Sequence, residues 1–353
     1  MINSVRIVGA GLIGTSIGLA LKNSSIKVQM IDTDEQAQRL SNDLIKGTPV
    51  DKPDLIIVAV PIEVNETVVL EQLKADSSVV VCDISSVKSD LLVKVEQLSD
   101  NPENFVSLHP MAGRELTGAQ AARADLFLAR AWVAIKSEKS SQRALSVASD
   151  LIKICGGTAY WLTAKEHDFV VAKTSHLPQV LSSVMATQLL GMSEDDLNIA
   201  GQGLRDVTRL ALSDPLLWSE ILIHNKSAIF PALTHVIEDL TRLQNNLQES
   251  NKSELVNFFK NGVQGKNLIP GKHGARERNY SYLPIVIDDK PGQLARIFNE
   301  CAKISVNVED LSIEHSPGQE TGLITLALSE VDCKKLSIHL NEQGFKVHQV
   351  KNR

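Results

Sequence analysis

At 353 residues, 43% hydrophobic and 22% charged, the chain has the make-up of a globular protein, with room for roughly two to three domains that each bury a core. A net charge of -6, with no lysine-rich run, argues against a nucleic-acid or anionic-membrane partner. The four cysteines at 82, 155, 301 and 333 lack CxxC spacing and the nine histidines form no HxxxH-type pair, so reduced thiols in a cytoplasmic protein are expected and a metal site has no support.

The first element is the most informative. Residues 5 to 32 read VRIVGAGLIGTSIGLALKNSSIKVQMID, a full βαβ unit in which a β-branched run, Val5 to Val8, opens into Gly9-x-Gly11-x-x-Gly14. Gly9 allows the tight turn, Gly11 lets backbone approach a pyrophosphate, and Gly14 lets helix and strand pack closely. The anion then sits on the N-terminus of the helix from Leu12, where free amides and the helix dipole favour it. The next strand, Val28 to Ile31, ends on Asp32, whose carboxylate suits ribose hydroxyls and repels a 2′-phosphate. NAD, rather than NADP, is the expected cofactor, contacted by Gly9, Gly11, Leu12, Ile13, Gly14 and Asp32, with Val60 and Pro61 after the third strand. The apolar run Val5 to Leu21 lacks a signal peptide's basic leader and small-residue cleavage site.

Strand and helix keep alternating beyond Asp32, which predicts a doubly wound parallel sheet with helices on both faces. Strands are expected at 55–60, 78–82, 105–108, 132–135 and 159–162. The stretch from Asp32 to Asp54 is short for a full crossover, so the usual third strand is expected to be reduced or lost. Two strands end in polar loops, Asp83-Ile84-Ser85-Ser86-Val87-Lys88 and His109-Pro110-Met111-Ala112-Gly113-Arg114-Glu115. Strand carboxyl ends face the ligand crevice in such sheets, which places both loops beside the nicotinamide.

From about Thr163 apolar residues recur at three-to-four spacing over 165–190, 216–230, 233–247 and 253–261, predicting an all-helical domain whose faces are partly buried against another subunit. Residues 262 to 279, GVQGKNLIPGKHGARERN, read as a linker. A compact βαββαβ pattern follows: strand 282–287, helix 291–304, strands 306–313 and 323–328, helix 333–343, strand 345–350. The expected domains are thus 1–163 (dinucleotide-binding), 164–265 (helical), 266–280 (linker) and 281–353 (ferredoxin-like).

The GLIGTS turn, the SVK loop, HPMAGRE, SHLP at 175–178 and GLRDVTRLALSDPLLW at 203–218 resemble the prephenate dehydrogenase family over roughly residues 1 to 265. The C-terminal unit, with Asp289-Lys290-Pro291-Gly292-x-Leu294, resembles an ACT domain, an amino-acid-binding regulatory module. The resemblance implies oxidative decarboxylation of prephenate to 4-hydroxyphenylpyruvate, CO2 and NADH in tyrosine biosynthesis, by a homodimer joined through its helical domain. L-tyrosine is the implied effector, at Asp289, Pro291, Gly292 and Leu294. His109 matches the catalytic histidine, for which a neutral imidazole suits a general base. Ser86 matches the serine that orients the substrate hydroxyl and the imidazole. Arg209 matches the arginine on the ring carboxylate, for which guanidinium offers a two-pronged fork. Glu115 and Asp168 match acids of an ionic network near that arginine, Asp168 reaching across the dimer interface. Arg205 stands where relatives can have lysine, and Trp218 is expected to pack near the site. Gln179 stands where some relatives have histidine, SHLPH against SHLPQ here, which leaves arogenate open as substrate.

Blander roles exist for the same residues. A histidine before proline at a strand end is often a turn residue, Arg209 on a helix is by default solvated, and Ser86 could cap the helix beginning near Val87. The rival function is another Rossmann-type hydroxyacid or imine oxidoreductase using Lys173. A non-catalytic NAD-dependent sensor is disfavoured by the joint presence of His109 and Arg209. Ser85-x-x-Lys88 with Ser99-Asp100-Asn101 mimics penicillin-binding motifs, a coincidence given the dinucleotide-binding context and the absence of KTG.

Overall fold

The computed structural model describes residues 2–113, 116–269, 280–288, 290–314, 320–348 and 351–352, in two compact units, Met1–Ser250 and Asn251–Arg353. The first opens with β1 (Ser4–Val8), α1 (Leu12–Asn23), β2 (Lys27–Ile31), α2 (Glu35–Ile45), β3 (Leu55–Val58), α3 (Ile62–Ala75), β4 (Val80–Asp83), α4 (Ser89–Leu98) and β5 (Phe105–Pro110). Next come β6 (Ala131–Ile135), α5 (Gln142–Ile154) and β7 (Thr158–Leu162). The sheet order is β2-β1-β3-β4-β5-β6-β7, so β3 pairs directly with β1 and, among the described residues, no strand lies outside β2.

The central strands are buried on both faces, as parallel strands between two helical layers must be. Leu55, Ile57, Val80 and Cys82 pack with Ile17 and Leu21 of α1 and with Ala148 and Leu151 of α5. Their neighbours Ile56, Val58 and Val81 point the other way, onto Val69 and Leu73 of α3 and Leu91 and Val95 of α4. That period of two is what fixes strand register here.

Against expectation the sheet is not parallel throughout, because β6 runs antiparallel to β5, with His109 opposite Val133, while β7 is parallel to β6. A parallel neighbour requires a crossover of a dozen or more residues, usually a helix. Between Pro110 and Ala131 the described residues hold only a short 3-10 turn at Ala119–Ala121, so the chain re-enters the sheet from the end at which it left. Helix α5 supplies the missing crossover one step later.

The helical part runs through α6 (Ala164–Val171), a π turn (Ala172–His176), α7 (Leu177–Thr187), α8 (Glu194–Asn198), α9 (Gln202–Thr208), α10 (Pro215–His224) and α11 (Lys226–Gln248). The predicted break near Pro231 is absent: α11 continues through that proline, and the interruption falls at Asn225 instead. Asn225 is buried and its side chain is engaged elsewhere, and tertiary demand overrides the local proline signal. Among the described residues no helix is long and apolar enough to cross a membrane.

The second unit begins with α12 (Lys252–Asn267), so the predicted linker is helical over its first six residues. Then follow β8 (Ser281–Asp288), α13 (Gln293–Lys303), β9 (Asp310–Glu314), β10 (Thr321–Leu328), α14 (Glu330–Glu342), β11 (Lys346–Val347) and β12 (Lys351–Asn352). The order β11-β8-β10-β9 is antiparallel throughout, a split βαββαβ arrangement. Leu283, Ile285, Ile324 and Leu326 of the sheet bury against Ile297, Cys301, Leu336 and Leu340 of the two helices. The second predicted strand starts four residues late, and the last is broken into β11 and β12.

Candidate active site

The glycine turn has the shape of a phosphate cradle. Gly9 adopts φ +108°, and a Cβ there would lie 2.3 Å from the Ala59 carbonyl oxygen. A Cβ on Gly14 would lie 2.1 Å from the Gly9 carbonyl oxygen, whereas one on Gly11 would meet nothing within 4 Å. Gly9 and Gly14 are thus demanded by the protein's own packing, and Gly11 leaves backbone bare toward open space. Helix α1 has no side-chain cap and no acidic residue in its first turn, which leaves its leading amides to an anion. Leu12 and Ile13 form that first turn. At the end of β2, Asp32 accepts from the Ala10 amide at 2.6 Å and the Asp34 amide at 2.9 Å, locking its carboxylate beside the turn. Val60 and Pro61 follow β3 and lead into α3. These residues fit a dinucleotide with free ribose hydroxyls.

Beside the cradle, β4 ends on a buried ion pair. The ammonium of Lys88, fully buried, donates to Asp83 at 2.8 Å. Asp83 also accepts from the Ser85 amide at 2.9 Å, the Ser85 hydroxyl at 2.6 Å, Ser107 of β5 and Asn65 of α3 at 3.4 Å. Burial pulls the Lys88 pKa down, and the Asp83 charge opposes it. The network ties three elements to the loop that carries Ser85, Ser86 and Lys88.

The next residues of that loop begin α4, whose N-terminus has no cap of its own. It is capped from far away: Asp168 of α6 accepts from the amides of Lys88 at 3.0 Å and Ser89 at 2.9 Å. The same carboxylate lies 2.8 Å from His167 Nδ1, and His167 Nε2 lies 2.8 Å from His109 Nδ1. His109 is half-buried at the end of β5, and His167 is fully buried behind it. Desolvation, reinforced by His167, Lys88 and His176, drives the His109 pKa well below its ordinary value, so its imidazole is neutral at pH 7. Burial also lowers His167, against the opposing bond from Asp168. For Asp168 burial pushes upward, but the bonds from His167, Ser89 and Lys88 together outweigh it and keep the carboxyl below its usual range.

Within the chain, the Asp168 oxygens are engaged by the Lys88 and Ser89 amides and by His167, because helix N-termini attract carboxylates and α4 offers two bare amides; its expected place near the arginine across a subunit interface belongs to the assembled dimer. Ser86 is half-buried and does not cap α4. Gln179 is buried, donates to the Leu210 carbonyl at 2.8 Å, and accepts from Ser213 at 3.4 Å. Its place is thus a staple holding the segment after Arg209. Arg205 and Arg209 are exposed one turn apart at the end of α9. Trp218 of α10 sets its ring edge-on to His176 at 5.9 Å. His176, in the π turn, accepts at Nδ1 from Asn225 at 3.1 Å, and Asn225 also donates to the Asp168 carbonyl at 2.9 Å. Glu115 and Asp289 lie outside the described residues. Pro291 is exposed, Gly292 takes φ +89° at the start of α13, and Leu294 is exposed in its first turn.

Sequence reasoning missed His167, His176, Asn225 and the Lys88–Asp83 pair as parts of this site. The adjacent His167-Asp168 and the quoted SVK loop were the available signals. Neither names its partner.

Residues 17–161 match the family model for the prephenate dehydrogenase nucleotide-binding domain, and residues 163–261 match that for the prephenate dehydrogenase dimerization domain. A probable prephenate dehydrogenase of Streptomyces niveus is 28% identical over 96% of this chain and 98% of its own length. A cyclohexadienyl dehydrogenase of Zymomonas mobilis is 28% identical over 77% of this chain and 98% of its own. The crystal structure of prephenate dehydrogenase from A. aeolicus in complex with hydroxyphenyl propionate and NAD+ superposes with TM-score 0.68 at 25% identity, covering 75% of this chain and 98% of that one. With His109 in the first matched region and His167 and Asp168 in the second, the chain belongs to the prephenate dehydrogenase family and is an NAD-dependent oxidoreductase.

Proposed function

We propose that the chain converts prephenate to 4-hydroxyphenylpyruvate and CO2 in tyrosine biosynthesis in the cytoplasm. The observation that carries this reading is His109, a half-open imidazole held neutral at the carboxyl end of β5, on the sheet edge that the dinucleotide turn also faces. The ring hydroxyl of the substrate becomes a carbonyl as hydride leaves C4, and loss of the ring carboxylate as CO2 yields the aromatic product. NAD, held by Gly9, Gly11, Gly14 and Asp32, supplies the hydride acceptor when bound. His109 takes the hydroxyl proton, and Ser86 orients that hydroxyl. Arg209 grips the ring carboxylate through a bidentate fork.

Arogenate is the alternative substrate, favoured by the departure at Gln179 and by similarity to the cyclohexadienyl dehydrogenase. Homodimerisation through the helices is supported by apolar residues that the single chain leaves uncovered: Leu212, Leu216, Phe230 and Ile237 are 62 to 79% exposed. Residues 281–353 are read as an ACT domain for tyrosine, supported by the split βαββαβ order and the Gly292 turn.

The test is NADH formation and CO2 release with each substrate, for the natural chain and for His109→Asn. Turnover of prephenate, with kcat in the variant lower by about 10²- to 10⁴-fold and NAD affinity unchanged, is expected. Activity on neither substrate, or an unimpaired variant, refutes the proposal.

A further inference from the structure

We propose that His167 and Asp168 are positioning residues that fix the tautomer of His109, placing its proton on Nδ1 and its basic lone pair on Nε2. This inference rests on His109 being the base, and it adds which atom acts and why.

Donors and acceptors along two contacts fix where the protons sit. Asp168 is ionised and can only accept, and it already accepts from two α4 amides. At 2.8 Å from that carboxylate, His167 Nδ1 must carry a proton, since two lone pairs facing each other at this distance repel. A neutral imidazole has one N–H, so His167 Nε2 is bare and accepts. At 2.8 Å from it, His109 Nδ1 must in turn be the donor. His109 Nε2 is then left as the free lone pair. A proton arriving there turns His109 into an imidazolium whose Nδ1–H already points at an acceptor backed by a carboxylate.

The pair is also rigid. Asp168 is pinned by the N-terminus of α4, and its carbonyl by Asn225, so the acceptor cannot swing away when the charge on His109 changes. Among the described residues, the charged and titratable groups that act on His109 are His167 from α6, His176 from the π turn and Lys88 from the loop after β4; Asp168 and Asp83 act on His167 behind it. Lys88 opposes a charge on His109. The carboxylate behind His167 supports it.

The direct test is nitrogen-15 NMR of histidine-labelled full-length protein at pH 7, with His109 assigned by its loss in His109→Asn. Protonated Nδ1 and bare Nε2 at His109, with protonated Nδ1 at His167, are expected. The opposite tautomer at His109 overturns the inference. The expected tautomer together with a fully active His109→Asn variant overturns the base assignment alone.

Two substitutions separate positioning from folding. In His167→Asn the amide nitrogen replaces Nδ1 and keeps the bond to Asp168, but His109 loses its acceptor. In His167→Gln the amide oxygen replaces Nε2 and keeps that acceptor. The Asn variant should lose about 10²-fold in kcat with KM for NAD unchanged, within the range for a misdirected general base. The Gln variant should retain most of the activity. An Asn variant with natural kcat, or a Gln variant as impaired as the Asn variant, refutes the role, and should the Asn variant fail to fold, the NMR measurement on the natural chain decides.

Discussion

Replacing Lys88 by methionine removes one charge from a pair that is entirely shielded from water, with both side chains at 0% exposure. Methionine keeps the volume of the lysine stem, so no cavity is created and the loss is electrostatic. Removing one partner of a buried pair costs about 3–5 kcal/mol, because the other charge is left uncompensated. Asp83 retains Ser85, Ser107 and Asn65 as neutral donors, which places the loss near the lower end, at about 3 kcal/mol. For a unit of this size each kcal/mol lowers the melting temperature by roughly 2–4 °C. A fall of about 6–12 °C is therefore expected in a circular-dichroism melt at pH 7. Adding Asp83→Asn to the same chain removes the stranded charge, and the double variant should recover about half of that fall. A single variant within about 1 kcal/mol of the natural protein, or a double variant no better than the single, would show that the pair is not what holds the β4 loop.

Acid should destabilise the first unit through its buried histidines. His176 is pushed down from 6.5 to about 4 by burial first and by His167 second. The unfolded chain therefore binds the extra proton as pH falls below 6.5, and stability is lost until about pH 4, by roughly 3 kcal/mol for this residue alone. Urea melts at pH 7 and pH 5 check this, and a flat profile contradicts it. Asp32→Asn should keep the bond to Ala10 while removing the negative charge. Its NAD affinity should fall and some use of NADP appear; unchanged discrimination between the two cofactors would count against Asp32 as selector. Gly292→Asp places a side chain and a charge in the φ +89° turn before α13, and calorimetry should show tyrosine binding weakened without loss of basal turnover. Unaltered tyrosine binding would leave the C-terminal unit without its proposed effector site.

The dinucleotide unit was legible because its whole logic is local. Strand, glycines, helix, second strand and terminal acid lie within 28 residues, and each residue is required by the backbone beside it. The same holds for the split βαββαβ unit, whose hydrophobic periods change within a few residues. The central sheet was readable too, since strands buried on both faces show as continuous apolar runs. The site was readable only as single residues. His109 was evident at a strand end, but its partner His167 lies 58 positions on, and the carboxylate that caps α4 lies 80 positions beyond Lys88. No local rule links a bare helix N-terminus to an acid on another helix; only the packing of α6 against α4 brings them together. The reversal of β6 has the same origin, in a loop too poor in helix to cross the sheet. Sequence determined which elements form and what they can bind, because those are properties of neighbouring residues. Tertiary structure decided which polar groups share protons, because in a buried site each donor must find an acceptor wherever in the chain it lies.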